Sequence, residues 1–221
     1  MTERADSPAP ALTEPLRHAA QEVFGPTLPL AERYVEHLAT TGIEWGLLGP
    51  REVPRLWERH VLNCAVVGGL LPEGAIVADV GSGAGLPGLC LALARPDCRF
   101  VLIEPLERRV TWLEMVIADL GLKNVTVLRG RSEQVADEVQ ADVVTARAVS
   151  ALRTLLPITM PLARGDGQLL AIKGRSAAEE IAAAGKALRK YGGGEPEILT
   201  VGEGLLPEAT TVVRVPARPA R

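Results

Sequence analysis

Aromatic residues are scarce, at 3% of 221 residues, which argues against a nucleic-acid platform built from several exposed rings. An RNA substrate would have to be held mainly by arginines. Cysteine is almost missing: Cys64, Cys90 and Cys98 show no C-x-x-C spacing and leave one unpaired, so neither a disulfide framework nor a zinc site is expected. Three reduced, mostly buried thiols are expected instead. Bulk charge is lacking as well. A formal charge of -3 excludes a surface that grips nucleic acid all round, although it leaves room for a local basic face. The longest apolar runs, near "GLCLALA" and "LLAIK", fall far short of the roughly 20 residues of a membrane span. The opening "MTERADSPAPAL" has no apolar stretch of signal-peptide length. A cytoplasmic protein with no membrane partner is therefore expected.

A chain that is 47% hydrophobic and 23% charged has enough apolar material for one substantial core with a small appendage. Residues 1–11, rich in proline and mixed charge, read as a disordered tail. From 12 to 72 the apolar spacing is helical: Leu30, Tyr34 and Leu38 share one face, and Val53, Leu56, Trp57, His60, Val61 and Cys64 recur at steps of three and four. After "GGLLPEG" the period changes. "AIVADV", "CRFVLIE", "NVTVLRG", "ADVVTARAV" and "GQLLAIKG" are strand-length apolar runs, with helical patterns between them at 86–94, 107–120, 132–139 and 151–162. Such alternation is the pattern of a parallel sheet covered on both faces. A helix over 177–191 and two closing strands, "PEILTV" and "TTVVRVP", joined closely enough for an antiparallel pair, complete a main domain over 73–216. Residues 217–221 read as a mobile tail.

The first strand runs into "DVGSGAGLPG", with Gly81, Gly83, Gly85 and Gly88 inside eight positions. In an open parallel sheet this strand-to-helix turn is where backbone meets a ligand. Two fingerprints fit. From Gly83, "GAGLPG" is G-x-G-x-x-G, in which a helix N-terminus holds a pyrophosphate. From Asp79, an acid precedes G-x-G-x-G, as in enzymes that use S-adenosylmethionine; its ammonium and sulfonium favour a nearby carboxylate, which a phosphate would not. A tight turn with no ligand is the third possibility. Glu104, ending the second strand, could accept both ribose hydroxyls of either cofactor or be an ordinary charge at a helix start. Ser132 and Glu133 follow the third strand, where an adenine would lie, and equally could cap a helix.

Taken together, "RH" (Arg59, His60), "DVGSGAGLPG", "IEPLERRVTWL", "GRSE", "ARA" (146–148) and "IKG" (172–174) occur in an order and spacing that resembles the bacterial guanine-N7 methyltransferases of small-subunit ribosomal RNA, also called glucose-inhibited division protein B. The resemblance runs from about Leu30 to Pro216. It implies a doubly wound, mostly parallel seven-stranded α/β sheet of the class I (Rossmann-like) methyltransferase type with a small helical N-terminal extension. It also implies S-adenosylmethionine as donor, and 16S ribosomal RNA as partner, within the 30S subunit or an assembly precursor. The family's cofactor contacts fall on Gly81, Leu86, Ser132 with Glu133, and Arg147, with Asp79, Gly83 and Glu104 completing the cofactor set. The sequence departs from the family pattern at Trp45–Gly49, where "NLT" is frequent, and at Asn63 and Cys64, where an acid and a serine are frequent.

Guanine N7 has an in-plane lone pair, so methyl transfer to it needs no prior proton removal, only alignment, desolvation and charge placement. Arg147 is the leading active-site residue, able to donate to guanine O6 and N7 edges or to a phosphate, with Lys173 beside it as the second catalytic candidate. Arg55, Arg59, His60, Arg131, Lys173 and Arg175 form the expected RNA-binding set. No metal ligand set is expected, and the protein is expected to act as a monomer. Two other readings stay open: a methyltransferase of the same architecture acting on another RNA, a protein or a small molecule, and a dinucleotide-binding oxidoreductase or sensor domain.

Overall fold

A computed structural model describes residues 9–218 of the chain. The seven runs with strand character form one sheet in the order β3-β2-β1-β4-β5-β7-β6: β1 (Ile76–Val80), β2 (Arg99–Glu104), β3 (Val125–Arg129), β4 (Ala141–Arg147), β5 (Ala163–Lys173), β6 (Glu197–Val201) and β7 (Thr210–Pro216). The first five pair in parallel, and β7 runs antiparallel to both β5 and β6. From β1 the chain winds outward through β2 and β3, then crosses back to β4. That reversal opens a crevice beyond the carboxyl ends of β1 and β4.

The helices are α1 (Glu14–Phe24), α2 (Leu28–Ala39), α3 (Thr41–Glu44), α4 (Asn63–Ala65), α5 (Gly88–Ala94), α6 (Glu107–Leu120), α7 (Ser132–Val135), α8 (Leu152–Thr159), α9 (Ala177–Ala183) and α10 (Gly185–Lys190). Three differ from the sequence pattern. The helical spacing around Val53 to Cys64 corresponds to a 3-10 turn at Pro50–Arg55, a π-helical turn at Leu56–Leu62, α4 and a further 3-10 turn at Val66–Leu70, not to one regular helix. Pro54 lies inside this stretch and has no N–H to give, so a regular ladder cannot form there. α7 spans only one turn of the expected 132–139. The expected helix over 177–191 divides at Ala184, where Gly185 opens α10.

Alternation along the strands sends side chains to two faces. Val77, Phe100, Leu102, Val143, Leu170 and Val212 join one core with α1, α2, α5, α6 and the 50–70 segment. Ala78, Val80, Ile103, Val144, Leu169, Ala171 and Val213 join the other with α8 and α10. The N-terminal helices therefore share one core with β1, which begins at Ile76. Each fully buried leucine there, such as Leu38, Leu56 or Leu62, contributes about 1.5–3 kcal/mol of transfer free energy.

Within the two expected tails, 1–11 and 217–221, described residues are bonded to the fold. Residues 1–8 and 219–221 lie outside the described residues. Pro10 is tied down by its carbonyl, which accepts the Trp57 indole N–H at 3.0 Å. At the other end Ala217 and Arg218 donate to Gly167 and Gly192 at 2.8 and 2.7 Å.

Gly88 fixes how closely α5 sits on the sheet. A Cβ there would collide with Leu102 and lie 2.6 Å from Asp79 Oδ2. Gly88→Ala should therefore cost about 1–3 kcal/mol through overpacking, read as a lower urea midpoint with unchanged slope.

Candidate active site

The turn after β1 is built from three left-handed glycines, Gly81, Gly83 and Gly85, at φ 72°, 57° and 84°. Side chains would be strained in all three places. Beneath the turn lies Asp79, with no exposed surface. Its Oδ2 accepts the Gly88 N–H at 3.1 Å and its Oδ1 the Thr145 hydroxyl at 3.3 Å, while Ser82 donates to its carbonyl at 2.9 Å. From the opposite side the buried Tyr34 of α2 donates to the Ala84 carbonyl at 2.6 Å. The turn is thus held from below and from behind.

This arrangement decides between the two glycine fingerprints. The N-terminus of α5, where the dinucleotide pattern would seat a pyrophosphate, is occupied by a carboxylate. A phosphate there would meet Asp79 as a like charge. The Asp79 carboxylate is turned into the fold, toward Gly88 and Thr145.

Glu104, at the end of β2, is buried as well. Its Oε2 accepts the Gly83 N–H and its Oε1 the Leu106 N–H, each at 3.0 Å. Arg109 Nη1 stands 3.6 Å from the carboxylate. A carboxylate has about four acceptor positions, so two remain for a ligand. Beside it Arg109 Nε is a buried donor with no partner among the described residues, and Leu106 is 52% exposed. In α7, Ser132 is buried and donates to Glu133 at 3.3 Å. Neither caps the helix: Arg131 holds the cap position, and Gln134 Oε1 accepts its N–H at 2.9 Å.

A cavity of about 790 Å³ opens beyond the ends of β4 and β5 and the start of β7, lined by residues that include Arg59, Asn63, Arg147, Val149, Lys173, Arg175, Glu180 and Glu208. Val149 divides it from the glycine turn, because a Cβ on Gly81 would touch Val149 at 3.0 Å. The neighbouring Ala148 has φ 54°, the one non-glycine residue with positive φ among those described. Such a residue stores roughly 1–3 kcal/mol of strain and tends to mark a working site.

Arg147 ends β4 with its guanidinium pointed at the 50–70 segment. Nη1 donates to Cys64 Sγ at 3.1 Å and to the His60 carbonyl at 3.4 Å; Nη2 donates to the Arg59 carbonyl at 3.1 Å and to His60 Nδ1 at 2.9 Å. Since an arginine only donates, His60 Nδ1 is bare, and its proton sits on Nε2, 2.7 Å from Glu52. Burial lowers the His60 pKa against the opposing pull of Glu52. Burial alone would raise the Cys64 thiol, but its hydrogen bond to Cys90 and the adjacent Arg147 bring it below its ordinary value.

A family model described as rRNA small subunit methyltransferase G, or GidB, matches residues 27–204. The chain belongs to this family. The ribosomal RNA small subunit methyltransferase G of Renibacterium salmoninarum is 66% identical over 92% of this chain and 95% of the relative. The protein of the same name from Corynebacterium efficiens is 52% identical over 96% of this chain and 94% of that one. Among solved structures, M. jannaschii TYW2 in complex with AdoMet is similar at a TM-score of 0.56 and 18% identity, over 75% of this chain and 78% of that one. A SAM-dependent O-methyltransferase from Thermotoga maritima gives 0.53 at 19% identity, over 72% and 66%. These two likenesses show the class I methyltransferase fold.

Within this member of the family, the structure gathers only some of the expected residues. Gly81, Gly83, Glu104 and the half-buried Leu86 surround the turn, and Arg59, Arg147, Lys173 and Arg175 line the cavity. Arg55 and Arg131 are exposed and are not among the residues that line the cavity. His60 is buried at 8% exposure and engaged on both ring nitrogens, so it offers no donor to RNA. Lys173 is held by Glu180 at 2.9 Å and by the Ser150 carbonyl at 2.6 Å, so its charge is matched within the protein. Sequence reasoning missed Tyr34, Glu52 and Glu180. A tyrosine on the apolar stripe of a helix was the one available signal, because a buried hydroxyl requires a partner.

Burial raises Asp79 from its ordinary 3.8 to about 6, so the folded state binds this proton more tightly than the unfolded chain. The resulting stability is present below about pH 4 and lost as pH rises through about 6. Asp79→Asn should lack that loss. Relative to wild type, the variant's denaturation free energy should rise by on the order of 2–3 kcal/mol between pH 4 and pH 7; a constant difference across that window would contradict the assignment.

Proposed function

We propose that this chain transfers a methyl group from S-adenosylmethionine to N7 of one guanine in 16S ribosomal RNA, acting as a cytoplasmic monomer on the 30S subunit or an assembly precursor. The observation that carries the reading is the cation-lined cavity lying one side chain, Val149, from the glycine turn, in a chain of the methyltransferase G family. No helix among the described residues is long and apolar enough to cross a membrane.

The residues at the turn fit S-adenosylmethionine. Glu104 retains acceptor positions for ribose hydroxyls, Leu106 offers an exposed apolar face for the adenine, and Arg109 Nε, without a partner among the described residues, marks an unfinished polar contact beside them. Gly81, Gly83, Leu86, Ser132 and Glu133 would complete the holding surface, with Asp79 supplying negative potential from beneath. When bound, the cofactor supplies an electrophilic methyl group on a sulfonium.

The chain's own residues then align the base, exclude water and place charge. A donor aimed at N7 would occupy the lone pair that must react. Arg59 therefore acts at O6 or a phosphate, and not at N7. Arg147, whose residue type alone allowed a contact with the base, has its Nη1 and Nη2 committed to Arg59, His60 and Cys64, and acts by fastening the 50–70 segment to β4, so cavity wall and sheet move as one. Lys173, neutralised by Glu180, shapes the wall between Ser150 and α9. Arg59 and Arg175, with no ion pair among the described residues, are the cations left for RNA.

Three measurements test this. Mapping N7-methylguanine in 16S RNA from cells with and without the gene should show one site lost. Arg147→Lys keeps the charge but not the fork, and should lower kcat/KM at least about tenfold and stability by about 1–3 kcal/mol; a fully active variant would remove Arg147 from the mechanism. Arg59→Ala and Arg175→Ala should each weaken 30S binding and make the slope of log affinity against log salt shallower by about 1, whereas Lys173→Ala should leave that slope unchanged.

A further inference from the structure

The cavity holds two carboxylates, Glu180 and Glu208. Glu180 is spent: it pairs with Lys173 at 2.9 Å, accepts the Leu152 N–H at 2.8 Å and takes the Ser176 hydroxyl at 3.2 Å. Glu208 is exposed, and among the described residues no side-chain hydrogen bond or ion pair engages it. It nevertheless stands on an anchored loop. Leu206 before it is buried, both Leu205 and Leu206 donate to the Gly202 carbonyl at 3.1 and 2.9 Å, and Thr210 after it donates to the Asn63 carbonyl at 2.8 Å. Thr211 then pairs in register with Lys173, so the loop delivers Glu208 to the wall of the cavity on the side where β7 starts beside the end of β5.

We propose that Glu208 reads the Watson–Crick edge of the target guanine and stabilises the charge that the reaction places on it. This rests on the guanine-N7 reading above. Guanine presents two adjacent donors on that edge, N1–H and N2–H, which match the two oxygens of one carboxylate; adenine presents a bare N1 acceptor there, which a carboxylate repels. In the transfer, the N7 lone pair forms the new N–C bond and the S–C bond breaks with its electron pair going to sulfur. No proton leaves. The positive charge passes from the sulfonium to the purine ring, which is delocalised onto the N1–H and N2–H donors, so a carboxylate at that edge binds the transition state and the product cation more strongly than the neutral base. The other charged side chains of the cavity cannot do this, because Arg59, Arg147 and Arg175 repel a developing cation and Glu180 is already neutralised by Lys173, with two further donors on its oxygens.

The test pairs binding with turnover. Wild-type protein should bind 7-methylguanosine 5′-monophosphate, which carries the product charge, about tenfold more tightly than guanosine 5′-monophosphate; Glu208→Gln should bind the two equally, with unchanged affinity for S-adenosylmethionine and unchanged thermal midpoint. On 30S particles Glu208→Gln should lower kcat at least about tenfold with little change in KM, and Glu208→Asp should recover part of it. Equal nucleotide preference and equal kcat in wild type and Glu208→Gln would overturn the proposal while N7-methylguanine still forms. Wild-type protein that forms no N7-methylguanine on any small-subunit particle would overturn the guanine-N7 reading and this proposal with it.

Discussion

The site depends on one buried carboxylate. Asp79, one residue from the end of β1, has no exposed surface and accepts the first N–H of α5 and a hydroxyl on β4. Placing a carboxylate there costs desolvation, visible in its raised pKa, and the cost is partly met by donors fixed in two different elements, α5 and β4. In return the glycine turn between β1 and α5 has one geometry. Gly88 must stay without a side chain so that the carboxylate fits under the helix, and the helix start, sealed by an anion, cannot receive a phosphate. The same interaction therefore sets the local fold and selects the charge type of the ligand above it.

A second constraint couples the N-terminal helices to the catalytic face. Glu52, His60 and Arg147 form a chain of hydrogen bonds of 2.7 and 2.9 Å that is consistent only with a neutral histidine. Tyr34 makes a parallel connection from α2 to the turn. Removing the first 72 residues would thus uncover more than an apolar sheet face. It would free the guanidinium at the end of β4 and release the glycine turn on its inner side. This explains why helices that look like an appendage in the sequence lie in the same core as β1 and β2.

Most of the fold was legible because its signals are local. Strand runs such as "IVADV" and "RFVLIE" carry their burial in their own composition, and the reversal of chain direction follows from the alternation of elements. Gly81 and Gly83 announced backbone that needs positive φ. What stayed hidden were partners distant in sequence. Whether Lys173 meets RNA or Glu180, whether His60 faces solvent or Arg147, and whether Asp79 points up or down are decided by tertiary packing, which periodicity does not encode. The 50–70 segment shows the same limit on a smaller scale, since its apolar spacing fits a helix and only Pro54 hints that the turns change type.

These hidden pairings follow a common electrostatic logic. Attack by a neutral base on a sulfonium methyl ends with a cation on the base, so a cavity lined by four unmatched cations, Arg59, Arg147, Lys173 and Arg175, would oppose the chemistry it is meant to host. The protein needs cations to attract RNA from a chain of net charge -3, yet must not present all of them to the ring. It resolves the conflict by depth. The two cations nearest the sheet are matched or turned away: Lys173 by Glu180, Arg147 by a neutral histidine, carbonyls and a thiol whose pKa its charge helps lower. Arg59 and Arg175 keep the unpaired charge, where a phosphate can meet it. A carboxylate on the cavity wall then faces the base without competing for those cations, and the positive charge created by the reaction finds its counter-charge already in place.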